Sequence, residues 1–201
     1  AVVLADVESL RTLPDRELRC GLAECVKHGM IRDASLLTWI GDNLASIRAL
    51  QPQVMTELVE KNVRIKAAVV MADEREAGER AHLNLGHTFA HAIEAANART
   101  KLLHGEAVAI GMVAATWLAV ELGRCRRDAL DNLVALLEAI GLPTGHPRLE
   151  STDILMHFMK RDKKVQGDRL RLILPEAAGR VTIADDVPAS AVAAAWDARR
   201  G

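Results

Sequence analysis

The sequence predicts a mainly α, multihelical domain with one small β-hairpin near residues 169–183. Three observations predict it. Apolar residues recur at helical spacing over most of the 201 residues, start and stop signals bracket those stretches, and the period changes to alternation only near the end of the chain. Half of the residues are apolar, enough for a sizeable core, while only 2% are aromatic, so Ala, Leu and Val must fill it.

Taken in order, the apolar run 1–4, with no initiator Met, reads like the last strand of a preceding sheet. Residues 1–10 are therefore expected to end a preceding domain, and 11–201 to form the helical one. Thr12-Leu13-Pro14-Asp15 supplies a hydroxyl cap, a proline where no N–H is needed and an acid in the first turn, and predicts a helix to about Met30. A second helix is expected over 34–50, stopped by Pro52, and a third over 53–72, with Val54, Leu58, Ile65 and Val69 on one face. The charged stretch 73–80 reads as a solvated loop. Helices follow over 83–96 and 103–122, the latter apolar enough to be buried on most sides. An amphipathic helix over 126–140 ends at Gly141 with Pro143 beyond it, and a short one is expected over 153–160. Arg169 to Leu174 alternates, 180–183 is β-branched and Gly179 lies between them, which makes the hairpin. An alanine-rich helix over 188–199 closes the chain.

Composition excludes several classes of function. With 26 basic and 27 acidic residues there is no bulk field for nucleic acid or an anionic membrane surface, so any polyanion must be held locally. The scarcity of aromatic residues and the absence of tyrosine argue against base-stacking platforms. No apolar run reaches the roughly 18 residues of a membrane span. Three cysteines without a CxxC form no disulfide framework, which predicts a reducing cytoplasm.

The segment 84–91 is the most unusual, because His87 and His91 are four apart on one helical face and His104 starts the next apolar helix. An antiparallel return would bring three imidazoles together, with a carboxylate as a natural further ligand for zinc. The motif is not HExxH. Threonine follows His87, so the catalytic carboxylate of a zinc peptidase is missing. Glu24 and Lys27 lie on one face of the otherwise apolar stretch 21–29 and must pair or bind something. Lys66 sits in a similar apolar context, from which a lysine stem can snorkel. The run 160–164 is a cationic cluster suited to a small anion.

Together LPDRELRCGLAECVKHGMIRD (13–33), KAAVVMADEREAGERAHLNLGHTFAHAIE (66–94), LHGEAVAIGM (103–112) and MKRDKK (159–164) closely resemble the C-terminal domain of the 3-dehydroquinate synthase family. The blocks run in the family's order and spacing over nearly the whole chain. The resemblance implies a dehydroquinate-synthase-like multihelical domain that carries the metal and most substrate contacts, with NAD bound mainly by an N-terminal domain that would precede residue 11. It implies Glu24, His87 and His104 as ligands of Zn2+, with Co2+ an alternative, which replaces His91 in the spacing argument. His91 then becomes a proton-transfer and phosphate-side residue. Asn84 and one of Lys163 and Lys164 would hold the same phosphate, Lys66 and Arg80 the substrate carboxylate, Lys27 a ring hydroxyl, and Glu76 would be an acid close to the site.

The substrate so implied is a small phosphorylated keto acid, 3-deoxy-D-arabino-heptulosonate 7-phosphate, converted to 3-dehydroquinate and phosphate by a homodimeric enzyme of the shikimate pathway. Its carboxylate, hydroxyls and phosphate explain why one site needs separate cations at each end. Two other readings stand beside this one: a sugar-phosphate cyclase of the same superfamily whose substrate lacks the carboxylate, and a metal-binding module without catalysis. Two residues depart from the family's usual pattern. Ala90 stands where glycine is common before His91, and His28 stands where tyrosine commonly follows Lys27. Cys25, beside Glu24, is expected to serve packing.

Overall fold

The computed structural model describes residues 4–73, 78–96, 101–161, 165–166 and 169–200, with 165, 166 and 169 described by their backbone. Its main elements are α1 (Asp15–Arg32), α2 (Ala34–Asp42), α3 (Leu44–Arg48), α4 (Pro52–Ala72), α5 (His87–Ala95), α6 (His104–Glu121), α7 (Arg127–Ile140), α8 (Thr152–Arg161) and α9 (Ala189–Asp197). Two 3-10 segments, Val7–Thr12 and Glu79–Asn84, precede α1 and α5. Four strands, β1 (Val165–Gln166), β2 (Arg169–Leu170), β3 (Leu172–Ala177) and β4 (Arg180–Ala184), complete the described chain. None of the described helices is long and apolar enough to cross a membrane.

The expected fold class holds, and α6 is its axis. Its residues from Ala107 to Thr116 are all buried, as its continuous apolar sequence predicts. Around it pack α1, α5, α7, α9 and β3. On the far side the indole of Trp196 meets Phe89 edge-on, with ring centroids 4.9 Å apart, and its N–H donates to the Met159 sulfur at 3.2 Å.

Several boundaries differ from the sequence expectation, each for a local reason. The helix starting at Asp15 is capped by Pro14 without a side-chain bond, because the Thr12 hydroxyl donates instead to the Ser9 carbonyl inside the first 3-10 segment. The helix expected over 34–50 is broken at Asn43, whose side-chain amide donates to the Trp39 carbonyl at 2.9 Å. The helix expected from Leu83 starts only at His87, since Gly86 adopts a left-handed φ of 77° and the residues before it form the second 3-10 segment. The alternation of 169–174 is split: Arg169 and Leu170 pair with β1, whereas β3 pairs antiparallel with β4, with Ile173 opposite Ile183. The glycine stop after α7 is as expected, with Gly141 at φ 88°. Of the strand expected over 1–4, residues 1–3 lie outside the described residues, and Leu4 is exposed and belongs to no strand.

Two glycine contacts set how closely the helices approach the centre. A Cβ on Gly111 of α6 would lie 2.2 Å from the Gly86 carbonyl oxygen, so α5 and α6 touch backbone to backbone. A Cβ on Gly105 would lie 2.4 Å from both Cα and O of Cys20, which fixes α6 against α1. Ala90, where the family pattern has glycine, is fully buried in the same α5–α6 contact; its N–H donates to Gly86 at 2.9 Å, so the methyl is accommodated.

Overpacking the α5–α6 contact should be costly. Gly111→Ala is expected to lower unfolding free energy by about 1–3 kcal/mol in urea titrations. Gly21→Ala, on an exposed face of α1 where a Cβ meets nothing within 4 Å, should instead stabilise by about 0.4–1 kcal/mol.

Candidate metal centre

The centre is built where three helices meet: Glu24 in the middle of α1, His87 at the first position of α5 and His104 at the first position of α6. Glu24 lies among the buried residues Leu22, Ala23 and Val26, so its carboxylate is carried into the interior with the helix face. One oxygen, Oε2, accepts from the Lys27 ammonium at 2.5 Å. The other, Oε1, is buried and makes no hydrogen bond. It faces His87 Nε2 at 3.7 Å and His104 Nε2 at 3.6 Å.

These separations are too long for hydrogen bonds. They suit ligands of one ion. With metal–ligand distances of about 2.0–2.2 Å, two donors on a tetrahedral ion sit roughly 3.3–3.6 Å apart. Among the described residues the donor atoms of Glu24, His87 and His104 form the one group that could hold a metal, all within 4.8 Å of one another.

Each imidazole is turned to present Nε2 by what its other nitrogen meets. His87 Nδ1 lies 3.2 Å from the Leu85 carbonyl, and His104 Nδ1 lies 2.8 Å from Glu94 Oε1. Both partners are acceptors, so the proton belongs on Nδ1 and the lone pair on Nε2. Burial, reinforced by the Lys27 charge, pushes His87 down to about 4, so the ring is neutral at physiological pH. Burial alone would raise the Glu24 carboxyl, but the charge and hydrogen bond of Lys27 outweigh it and hold the group below the usual carboxylate range. Two imidazole Nε2 atoms and one carboxylate oxygen, with His104 half exposed on one side, form a donor set for a borderline divalent ion such as zinc or cobalt.

His91 is beside this centre but outside the donor group. Its ring stands edge-on to His87 with centroids 5.7 Å apart, so the two histidines share a helical face as their spacing implies, while the third donor is Glu24. Lys27 is almost fully buried on the Glu24 side. Arg80 and Asn84 lie on the second 3-10 segment, tethered where Asp73 Oδ2 accepts the N–H groups of Gly78 at 2.7 Å and Arg80 at 3.0 Å, and by an ion pair from Arg32 to Glu79. Lys66 is exposed on α4, with its charge close enough to His28 to act on it. His28 donates from Nδ1 to Asn62 Oδ1 at 2.8 Å, and burial, with Lys27 and Lys66 nearby, holds its imidazole below the ordinary value. Glu76, Lys163 and Lys164 lie outside the described residues. The Cys25 thiol, pushed up to about 12 chiefly by burial, is a packing group.

Glu94 carries no sequence signal beyond its place seven residues after His87 on the same helical face. An open groove of about 930 Å³ runs along α4 past Asp33, Glu57, Lys61 and Arg64, but it contains none of the donor residues, and its charges pair along the helix.

The family description "3-dehydroquinate synthase C-terminal" matches residues 21–165. A 3-dehydroquinate synthase from Acidithiobacillus ferrooxidans is 46% identical over 190 residues, covering 94% of this chain and 52% of that protein. One from Pseudomonas entomophila is 47% identical over 186 residues, covering 92% and 51%. The chain thus spans about half the length of the curated relatives it matches. Among solved structures, 2-epi-5-epi-valiolone synthase of Streptomyces hygroscopicus, with NAD+ and Zn2+ bound, superposes with a TM-score of 0.86 at 27% identity, covering 96% of this chain and 54% of that one. A 2-deoxy-scyllo-inosose synthase complexed with carbaglucose-6-phosphate, NAD+ and Co2+ gives 0.85 at 25% identity, covering 98% and 56%.

Two outcomes follow from the geometry. Glu94→Gln should weaken zinc affinity by about 10–100-fold in chelator competition, because the His104 Nδ1–H loses a charged acceptor. Without metal, the fold should weaken in acid. An unfolded His87 takes up its proton near 6.5 and the folded one only near 4, so stability is lost as pH falls through that window. For this largely buried ring the loss is at most about 3 kcal/mol, read from urea midpoints of the wild type against His87→Asn.

Proposed function

Because the chain belongs to the 3-dehydroquinate synthase C-terminal family, we propose that it is the metal- and substrate-binding domain of a cytoplasmic, homodimeric 3-dehydroquinate synthase. Residues 1–10 would end a preceding domain that binds NAD, and 11–201 would form the domain described above. The substrate would be 3-deoxy-D-arabino-heptulosonate 7-phosphate, and the products 3-dehydroquinate and phosphate. The observation that carries the reading is the buried, unpartnered Glu24 Oε1 facing two imidazole Nε2 atoms. Glu24, His87 and His104 would hold a divalent ion, which would supply Lewis acidity toward a substrate hydroxyl, and NAD would supply hydride acceptance and return.

The residues around that centre divide the substrate between them. Lys27, held against Glu24, offers its ammonium to a ring hydroxyl next to the metal donors. Lys66 and Arg80 provide the two cations for the carboxylate. Asn84 and His91 hold the phosphate with Lys163 or Lys164, and His91 moves the proton as the phosphate departs, helped by the substrate's own phosphate oxygen as base. Glu76 would be a further acid near the reacting end.

A second reading, a cyclase acting on a heptulose 7-phosphate without the carboxylate, draws on the superposition with the valiolone and inosose synthases. The higher identity to 3-dehydroquinate synthases favours the first. A bare metal-binding module would leave Lys66, Arg80 and Asn84 without a common purpose.

In the full-length enzyme, His104→Ala should abolish both zinc retention and turnover; normal turnover would refute the assignment. Wild-type enzyme should use the heptulosonate 7-phosphate far better than sedoheptulose 7-phosphate. Lys66→Met should cut kcat/KM for the former by roughly 10–100-fold, the worth of one charge-assisted contact, and leave the latter nearly unchanged.

A further inference from the structure

The start of α6 is gripped by one guanidinium from α1. Arg16 donates from Nε to Glu106 Oε1 at 2.7 Å and from Nη2 to Glu106 Oε2 at 2.6 Å, and the same Nη2 reaches the Lys101 carbonyl at 3.1 Å. Glu106 Oε2 also accepts the Leu103 N–H at 2.9 Å, so the carboxylate that caps α6 is itself forked by Arg16. Lys101 is held at φ 50°, a left-handed conformation uncommon for lysine, with its carbonyl on that guanidinium.

His104 lies between these restraints and a second one. Its neighbour Gly105 contacts the Cys20 backbone, and Cys20 is one turn before Glu24 on the same face of α1. Packing does not hold the His104 ring, which is 51% exposed, whereas His87 is 14% exposed. The offset between α1 and the first turn of α6 therefore decides whether His104 Nε2 meets Glu24 Oε1.

We propose that Arg16 and Glu106 are a positioning pair for His104, registering the start of α6 on α1 so that its imidazole completes the metal centre. This rests on the reading of Glu24, His87 and His104 as metal ligands. Arg16 is 49% exposed and Glu106 13%, so the fork also supports the fold; the spectrum of the bound metal, which a merely structural loss would not alter, separates a positioning role from a structural one.

The test is a Co2+ titration of the 201-residue chain, followed by visible d–d absorption and chelator competition, with circular dichroism as the check on fold. Arg16→Met should bind Co2+ about 10–100-fold more weakly, with an altered d–d band and unchanged helicity. Glu106→Gln should behave alike, and the double variant should be no worse than the weaker single one, as expected of one unit. Arg16→Lys, which keeps the charge but cannot fork, should fall between wild type and Arg16→Met and serves if the latter does not fold. Arg127→Met, which removes an exposed pair with Asp131 on another helix, should change nothing. Wild-type affinity and spectrum in Arg16→Met or Arg16→Lys would overturn the proposal. Failure of the wild-type chain to bind Co2+ would instead overturn the metal-site reading, and this proposal with it.

Discussion

A carboxylate oxygen shut away from water with no donor is a costly thing for a protein to keep, and the arrangement around Glu24 depends on that constraint. Lys27 neutralises half of the problem by taking Oε2. The other half is left toward two imidazoles whose lone pairs, not protons, point at it, so neither histidine can satisfy the oxygen. Three acceptor atoms converging without a hydrogen between them are satisfied by a cation. A divalent ion there would join three helices through the same atoms.

The backbone contacts exist in service of that convergence. Gly86 and Gly111 bring α5 onto α6, and Gly105 brings α6 onto α1, so the first residues of α5 and α6 reach the middle of α1. A Cβ at Gly111 or Gly105 would lie 2.2 or 2.4 Å from backbone atoms of the neighbouring element, so the elements that carry the donor residues would have to shift. Because His87 and His104 both sit at helix starts, their positions follow the helix ends, and the left-handed Gly86 and the Glu106 cap matter as much as the histidines themselves. The 3-10 segment carrying Arg80 and Asn84 hangs from Asp73 and from the end of α1, tying both residues to the same helix as Glu24.

Much of this was legible in the sequence, for physical reasons. The helical class, the buried α6 and the Gly141 stop follow from apolar period and local backbone chemistry, which act within a few residues. The family motifs brought Glu24, His87 and His104 together, whereas spacing by itself paired His87 with His91. An i,i+4 rule sees only one helix, and the missing third donor came from 63 positions away in the chain. Glu94 and the Arg16–Glu106 pair escape a one-helix rule for the same reason, since each contact runs between helices. The early break at Asn43 and the late start at His87 reflect side-chain and glycine effects that a helical period overrides on paper but not in the backbone.

One ion is expected to join Glu24, His87 and His104. Anomalous diffraction at the zinc edge, from crystals of the chain grown with zinc, tests it most directly. The expected result is a single strong peak per chain bonded to Glu24 Oε1, His87 Nε2 and His104 Nε2. A peak between His87 and His91 with Glu24 unligated, or no peak at this junction, would contradict it.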